Sequence, residues 1–411
     1  MTPRGALGVA LALCLGACTG RGGGPVERGR DVVSVVSVDA SADRPVAGGG
    51  RRCVLRAAPP EPLGPARGRP RPAVAWNGSR VGVTWTDLRD GENAVLFAQA
   101  GVSGERVGAA VRVSERGFEA WAPTLAWEGT GWAVVFEGGV GKRGDLYQAR
   151  VNAQGIATGH PWRITRGRRD DMAPSLVSTG PGYGLAWVSA EEDRRWSVYG
   201  WPRARWDGPR AEPVRLLNTS LTLASPTLLW TGQAWAIACI AARREASSVL
   251  FLRMEANGTP RGSVTRVTDA PVGGLDLDGR LAAVWDGSAF VVAWSELREG
   301  AWRVLAQRVT PRGNPLGASW ELSTGAPEAT APALASLGDG SLVVALEVAR
   351  EGQRRVWVRV VGHEVTERLE LQDADGEAWA PAVVSLGGGL AVATASRRGV
   401  SLHRVELGPC P

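Results

Sequence analysis

Short apolar runs alternate with polar turns along most of the chain, and this pattern repeats about every fifty residues. Each unit holds four runs rich in Val, Ala, Leu and Trp, bounded by Gly, Asn and Asp, as in strands joined by hairpin turns. A constant period of this size is typical of a solenoid, a propeller or an array. The units begin near Pro72, Pro123, Pro174, Pro226, Leu281, Pro332 and Pro381, at spacings of 49 to 55 residues.

Four short antiparallel strands form one blade of a β-propeller, and a ring of blades buries both faces of every sheet. The sequence therefore predicts an all-β fold, a seven-bladed β-propeller of four-stranded antiparallel blades over residues 52–411. Large residues recur at the fifth and fourteenth places of the units and are predicted to pack between blades. They include Trp76, Trp127, Trp230 and Trp285 at the fifth place, and Trp85, Phe136, Trp187, Cys239 and Trp294 at the fourteenth.

The last unit is short, with 31 residues from Pro381 to Pro411, and the 20 residues from Arg52 to Arg71 supply the remainder of one repeat. We therefore predict that the N-terminal segment adds the outer strand of the last blade and closes the ring. Cys53 and Cys410 lie in the two closing segments, and we predict a disulfide between them. Cys239 occupies a repeated core position, which predicts a buried free thiol.

The first residues follow a different pattern. Positive charge at the N-terminus precedes an apolar stretch that is too short to span a membrane, so residues 1–17 are predicted to be a signal peptide. The sequence from Leu15 to Cys18 resembles the lipobox of bacterial lipoproteins, which implies cleavage before Cys18 and lipidation of its thiol. Residues 18–51 are Gly-rich and polar, and they predict a flexible tether with a mean reach of roughly 30 Å.

The lipobox and the Trp- and Gly-rich repeats together resemble bacterial envelope lipoproteins built as seven-bladed β-propellers. The resemblance implies an outer-membrane lipoprotein, facing the periplasm or the cell surface and held only by the acyl chains on Cys18. Thr19, rather than Asp, after this Cys favours the outer membrane. We expect a monomer. The net charge of +6 does not indicate a nucleic-acid site, because the arginines are spread over every repeat among Asp and Glu.

Two sets of loops are expected to share one face of such a propeller: the turns between the second and third strands, and the links between blades. Charged and aromatic residues concentrate there, which suits recognition of a saccharide or a protein partner. The alternatives are that the charges form local salt bridges and that the tryptophans cover blade junctions. The candidates in the turns are Asp87, Arg89, Asp90, Glu296, Arg298 and Glu299, and those expected in the links between blades are Glu119, Trp121, Glu377 and Trp379.

Two inter-blade links carry Asp-x-Asp-Gly, at Asp276 and Asp278 and at Asp373 and Asp375. Clustered carboxylates before a Gly turn can bind calcium, although plain turns have the same composition and neither link has the spacing of an EF-hand loop. Otherwise we expect no cofactor and no metal.

Catalytic motifs are scarce. The three histidines lie in different repeats, and no Ser-centred elbow, Cys/His pair, HExxH or sialidase S-x-D-x-G-x-x-W box occurs. The prediction is therefore a membrane-anchored, non-catalytic binding or scaffold protein that recognises an envelope protein or a polysaccharide. The alternatives are a carbohydrate-active hydrolase or lyase, with carboxylate pairs across the channel mouth, and a purely structural envelope component.

Overall fold

The computed structural model describes residues 52–68, 70–89, 91–139, 144–204, 212–243, 247–268, 274–276, 281–362 and 368–409, with the backbone alone at 52–54, 202–204 and 409. The predicted signal peptide and tether (residues 1–51) lie outside this part of the chain. Four candidate residues, Cys18, Asp90, Asp278 and Cys410, also lie outside it.

The described residues form 29 strands. In chain order they are β1 (Arg52–Ala57), β2 (Glu61–Gly64), β3 (Ala73–Trp76), β4 (Val81–Arg89), β5 (Glu92–Ala100), β6 (Arg106–Arg112), β7 (Glu119–Trp127), β8 (Gly131–Gly139), β9 (Asp145–Asn152), β10 (Ala157–Arg163), β11 (Asp170–Ser178), β12 (Tyr183–Ala190), β13 (Trp196–Ala204), β14 (Val214–Thr219), β15 (Thr222–Trp230), β16 (Trp235–Ala242), β17 (Ser247–Met254), β18 (Pro260–Arg266), β19 (Ala282–Trp285), β20 (Phe290–Arg298), β21 (Ala301–Val309), β22 (Pro315–Glu321), β23 (Glu328–Ser336), β24 (Leu342–Arg350), β25 (Gln353–Val361), β26 (Leu369–Leu371), β27 (Trp379–Ser385), β28 (Gly389–Ser396) and β29 (Gly399–Pro409).

These strands make seven antiparallel sheets, one per predicted unit, and so confirm the seven-bladed β-propeller. Blades 1 to 6 are β3–β6, β7–β10, β11–β14, β15–β18, β19–β22 and β23–β26, each a meander of four strands. The first strands of neighbouring blades contact one another, and β27 of blade 7 contacts β3 of blade 1. The first strands are therefore innermost, and the blades form a closed ring.

The N-terminal segment closes the ring, as predicted. Blade 7 consists of β27, β28 and β29, and β1 pairs antiparallel with the end of β29 as its outer strand. The short strand β2 pairs with the beginning of β29, so both N-terminal strands lie against this eleven-residue strand. Arg52 pairs with Pro409 at the far end of β29, and each of these residues is next in sequence to one cysteine of the predicted disulfide.

The fourteenth-place residues are core residues, as predicted: Trp85, Phe136, Trp187, Cys239 and Trp294 are all at most 3% exposed. Cys239 is a free, buried thiol, and burial raises its pKa to about 12. The prediction for the fifth place holds only for Trp76. Trp127, Trp230 and Trp285 are half-buried and lie against a second ring of aromatic residues at Trp132, Trp235 and Phe290.

Five of the innermost strands contain a β-bulge at the residue before proline. Pairing with the second strand begins up to four residues before the proline, slips by one residue and then resumes. The residue before proline has a left-handed backbone, which is disfavoured for any side chain and especially before proline. These residues are Ala122, Ala173, Ser225, Ala331 and Ala380, with φ between 49° and 58°.

The bulges correct one prediction. Glu119, Trp121 and Trp379 were placed in inter-blade links, but they lie within the innermost strands β7 and β27. Proline did not end these strands, because the bulge carries the pairing past it. Among the described residues, no helix has the length and the apolar character that spanning a bilayer requires.

Candidate functional site

The turns between the second and third strands and the links between blades lie at the same end of the propeller. Chain direction requires this, since the first and third strands run away from that end and the second and fourth run towards it. We call this end the loop face. All described loop-face candidates from the sequence lie there, spread over blades 1, 2, 5 and 7 and their links.

In blade 1, Asp87 is a structural acceptor rather than an exposed ligand group. Asp87 is 2% exposed, and its carboxylate accepts the backbone N–H of Arg67, on the link into the blade, at 2.8 Å. The guanidinium of Arg89 also donates to it. Arg89 and Glu92, which follow, are paired with each other, and the two residues between them in sequence are Asp-Gly. Asp-Gly is a preferred sequence for a two-residue hairpin turn, which explains this pair without a ligand.

Blade 5 repeats this arrangement. The Glu296 carboxylate is 5% exposed and accepts the indole N–H of Trp294 at 2.8 Å and the guanidinium of Arg298 at 3.0 Å. Glu299 and Gly300 both have positive φ, 52° and 80°, between the paired residues Arg298 and Ala301. This is the type I′ turn that suits a tight hairpin. Of these candidates, Glu299 and part of Arg298 face solvent.

Trp121 of blade 2 is fixed by a carboxylate that the sequence did not single out. Glu137 is fully buried; one oxygen accepts the Trp121 indole N–H at 2.6 Å, and the other accepts the backbone N–H of Ala173 at 2.6 Å. Ala173 is the bulged residue of the next blade, so Glu137 joins blade 2 to blade 3. Glu119, in the same strand as Trp121, accepts the backbone and side-chain N–H groups of Asn93 in blade 1.

Glu347 joins blade 6 to blade 7 in the same way. It accepts the backbone N–H of the bulged Ala380 at 3.0 Å and pairs with Arg354 at 3.3 Å. Its neighbour Trp379 is half-buried, and its indole N–H has no hydrogen-bond partner among the described residues. Glu377 pairs with Arg397 at 2.6 Å, which ties the link before blade 7 to a turn of that blade.

The second calcium candidate is built as a turn. The two carboxylate oxygens of Asp375 accept the backbone N–H groups of Glu377 and Arg397, at 3.1 and 3.0 Å. The Asp373 carboxylate lies beneath, 6% exposed, 3.6 Å from Nε2 of the buried His403. His403 Nε2 also lies 2.9 Å from the Thr394 hydroxyl. In the first calcium candidate, Asp276 lies within the described residues and Asp278 lies outside them. No described group of three or more His, Cys, Asp or Glu is placed to hold a metal.

Burial dominates the protonation equilibria of this pair. It raises the pKa of Asp373 to about 6, although the hydroxyls of Ser401, Ser396 and Thr394 work in the opposite direction. None of these hydroxyls makes a hydrogen bond of standard geometry to the Asp373 oxygens. Burial also lowers the pKa of His403 to about 4. At neutral pH the pair is therefore an anionic carboxylate beside an uncharged imidazole.

A groove of about 650 Å³ lies between blades 5 and 6, towards the loop face. Three arginines and one glutamate give it a net positive charge of two. The rest of its lining is a polar link, Thr324 to Pro327, and the edge of Trp357. The arginines and the glutamate are Arg303, Arg350, Arg368 and Glu321.

Sequence reasoning missed both the blade-joining carboxylates and the groove. Glu137 and Glu347 occupy equivalent positions in the second strands of blades 2 and 6, because each pairs with the residue two places before the proline of the first strand. An alignment of the repeats by strand pairing, rather than by the prolines, would have revealed this regularity. The groove has no such signal, because Arg303, Arg350 and Arg368 stand at three unrelated places of two repeats.

Comparison with known proteins supports the fold. No family model matches the chain, and no curated protein matches it. Among solved structures, an ulvan lyase bound to -[GlcA(1-4)Rha3S]- is 10% identical with a TM-score of 0.54, over 84% of this chain and 95% of that one. A prolyl endopeptidase is 12% identical with a TM-score of 0.52, over 86% of this chain and 47% of that one.

A subtype N10 neuraminidase-like protein of A/little yellow-shouldered bat/Guatemala/060/2010 is 10% identical with a TM-score of 0.50, over 72% of this chain and 97% of that one. At these identities the similarity shows a shared fold and leaves the activity open, because one fold hosts many functions.

Proposed function

We propose that this chain is a non-catalytic binding module that recognises an envelope protein or a polysaccharide through its loop face. The proposal rests on a difference at this face between the acidic side chains, which are hydrogen-bonded within the fold, and the basic side chains of one groove. The carboxylates Asp87, Glu137, Glu296 and Glu347 are already engaged by backbone, indole or guanidinium donors within and between blades. In the groove between blades 5 and 6, by contrast, Arg350 is mostly exposed and pairs only with the exposed Glu351, and Arg303 lies 3.9 Å from Glu321, at the limit of an ion pair.

This use of the carboxylates disfavours the alternative, a glycan-active enzyme. A glycosidase needs two carboxyl groups facing the scissile bond, one of them free to give up or take a proton. A carboxylate that holds a bulged strand in place with short hydrogen bonds is committed to the fold instead.

The test is capture of envelope material by the full-length protein in detergent, with protein and polysaccharide measured separately. Glu351→Cys, coupled to a bulky polyethylene glycol maleimide, places a mass on the loop face, where the Glu351 side chain is 83% exposed. We expect this conjugate to lose most of the captured material. Arg312→Cys, coupled in the same way, is the matched control, because the turn between β21 and β22 lies at the opposite end.

Two results would contradict the proposal. Capture that is absent, or equally reduced by both conjugates, would mean that the loop face is not the binding surface. Depolymerisation of a glycan panel by the unmodified protein, lost on changing a single loop-face carboxylate, would mean that the chain is an enzyme.

Membrane anchoring through Cys18 is part of the proposal and has its own test, because Cys18 lies outside the described residues. Inhibition of lipoprotein signal cleavage should leave a larger precursor, and Cys18→Ser should release the protein from the membrane fraction. A wild-type protein that stays the same size under the inhibitor would contradict the lipobox interpretation.

A further inference from the structure

The groove between blades 5 and 6 contains a guanidinium group that stacks on a fixed aromatic ring and forms no ion pair with any described residue. Arg368 lies over the ring of Trp357, 4.1 Å from the ring centroid, and pairs with no carboxylate among the described residues. Trp357 is itself fixed: it is 4% exposed and donates its indole N–H to Glu370 at 3.2 Å. A guanidinium stacked on a fixed ring is oriented in advance, with its N–H edge free for an anion.

A second arginine crowds the same ring. Arg359 lies 5.3 Å from the Trp357 centroid, and its Nε is buried without a hydrogen-bond partner among the described residues. Burial lowers the pKa of Arg359, and the charge of Arg368 lowers it further. Two like charges on one indole are unfavourable by themselves, and an anion bound beside them would relieve the repulsion.

The other two arginines complete the rim of the groove. Arg303 donates to the carbonyls of Ala326 and Pro327, at 2.9 and 2.7 Å, and so shapes the link that forms one wall. Its distance to Glu321 is 3.9 Å, at the limit of an ion pair. Arg350 pairs with its neighbour Glu351 at 3.5 Å, and both side chains are mostly exposed, so solvent screens this pair and a ligand can replace it.

We infer that this groove binds an acidic saccharide, whose carboxylate or sulfate groups are held by Arg303, Arg350 and Arg368. The assignment rests on the proposed binding function and names its ligand class. Guanidinium groups match the planar oxygens of carboxylates and the oxygens of sulfates with paired hydrogen bonds. A cavity of about 650 Å³ is within the range of small-ligand sites and suits a short oligosaccharide.

The lining favours a saccharide over an acidic protein. Protein interfaces take most of their affinity from large apolar anchors that fill a pocket. The exposed large apolar residues of the described chain, such as Leu88, Ile156 and Leu316, are not in the groove. The wall between blades is instead made of the short residues Thr324, Gly325 and Ala326, which leaves room for sugar rings and offers hydroxyl and backbone groups.

The test measures binding of the full-length protein in detergent to four immobilised probes: an oligogalacturonate, dextran sulfate, neutral dextran and poly-glutamate. We expect binding to the carboxylated or the sulfated saccharide, and their ratio identifies the anionic group. Arg350→Gln/Arg368→Gln should weaken that binding at least tenfold, because charge-assisted hydrogen bonds are lost. Arg303→Lys keeps the charge but loses the paired N–H groups of the guanidinium, so it should weaken binding by a smaller factor than the double variant.

The matched control is Arg261→Gln/Arg312→Gln, which removes the same charge from exposed positions near the opposite end of the propeller. Equal loss in both double variants would overturn the inference, since binding would follow overall charge. Preference for poly-glutamate over both saccharides would overturn it in favour of an acidic protein partner. Failure to bind any polyanion, with face-dependent capture of envelope material retained, would refute the ligand class and leave the proposed function standing; loss of both would refute both.

Discussion

The buried carboxylate of Glu137 joins two blades through two short hydrogen bonds, to the Trp121 indole and to the bulged backbone of Ala173. In Glu137→Gln, the amide oxygen can still accept one of these two N–H groups. The amide NH₂ then faces the other N–H group, so that two donors oppose each other. Because an unsatisfied buried group costs about 1–3 kcal/mol, we expect the free energy of unfolding to fall by about that amount. Urea denaturation followed by tryptophan fluorescence measures it.

The matched control is Glu299→Gln, the same chemical change at an exposed position of a loop-face turn. Its effect should stay within about 0.5 kcal/mol, as for most surface substitutions. A Glu137→Gln protein as stable as this control would contradict the blade-joining role.

Asp373 and His403 make opposite contributions to stability between about pH 4 and 6. The folded pKa of Asp373 is raised to about 6, so its contribution is present at low pH and is lost as pH rises from about 4 to about 6. The folded pKa of His403 is lowered to about 4, so its contribution is present above about pH 6.5 and is lost as pH falls towards 4. In the wild-type protein, these two opposite changes of the free energy of unfolding with pH nearly cancel.

Single substitutions should reveal each slope. Relative to wild type, His403→Gln should become less stable as pH rises from 4 to 6, by at most about 1.4 kcal/mol per pH unit. Asp373→Asn should instead gain stability with pH over the same range. Denaturation curves at several pH values measure both trends, and variants that run parallel to the wild-type curve would show that neither group titrates as described.

At the scale of the strand, neighbouring blades pack closely where a glycine of one strand leaves room for a tryptophan ring of the next blade. Gly184 in blade 3 lies against the buried Trp235 of blade 4, and a Cβ at position 184 would overlap the indole. We expect Gly184→Ala to destabilise the fold by about 1–3 kcal/mol through overpacking. Gly388→Ala is the matched control, because a Cβ there meets open space and its φ is not positive.

A second variant tests the contact itself. Adding Trp235→Phe to Gly184→Ala removes the part of the indole that clashes with the new Cβ. The double variant should therefore lose less unfolding free energy than the two single variants lose together. Strictly additive losses would mean that the two residues do not act on each other across the blade junction.

The strand-level sequence signals were enough to predict the propeller, because apolar alternation, turn residues and a constant period all specify the same architecture. They failed at the prolines. A proline before an innermost strand suggested that Glu119 and Trp121 lie in a link, whereas a bulge at Ala122 lets the strand begin earlier. Local propensity does not report a bulge that is held by a glutamate of the neighbouring blade, as Glu137 holds Ala173.

At the scale of the whole molecule, the site was much harder to predict than the ring. The candidate turns were recognised by composition, yet most of their charges proved to be intramolecular partners, as at Asp87 and Glu296. The groove arginines lie together only where blade 5 packs against blade 6. No periodic signal marks Arg303 and Arg368, because the contact that brings them together runs across a blade boundary.

Ring closure itself gives the last prediction. β1 pairs antiparallel with β29 so that Arg52 lies opposite Pro409. Cys53 follows Arg52 within β1, and Cys410 follows Pro409 outside the described residues, so each cysteine is one residue in sequence from this pair. A disulfide between them would enclose nearly the whole propeller and restrict the unfolded chain by about 4–5 kcal/mol in the loop-entropy model. We expect Cys53→Ser/Cys410→Ser to unfold at lower denaturant concentration than wild type and to show no further effect of reductant. Cys239→Ala, which changes a buried free thiol, should keep the wild-type response to reductant. Peptide mapping without reductant that finds two free thiols at positions 53 and 410 would contradict the predicted disulfide.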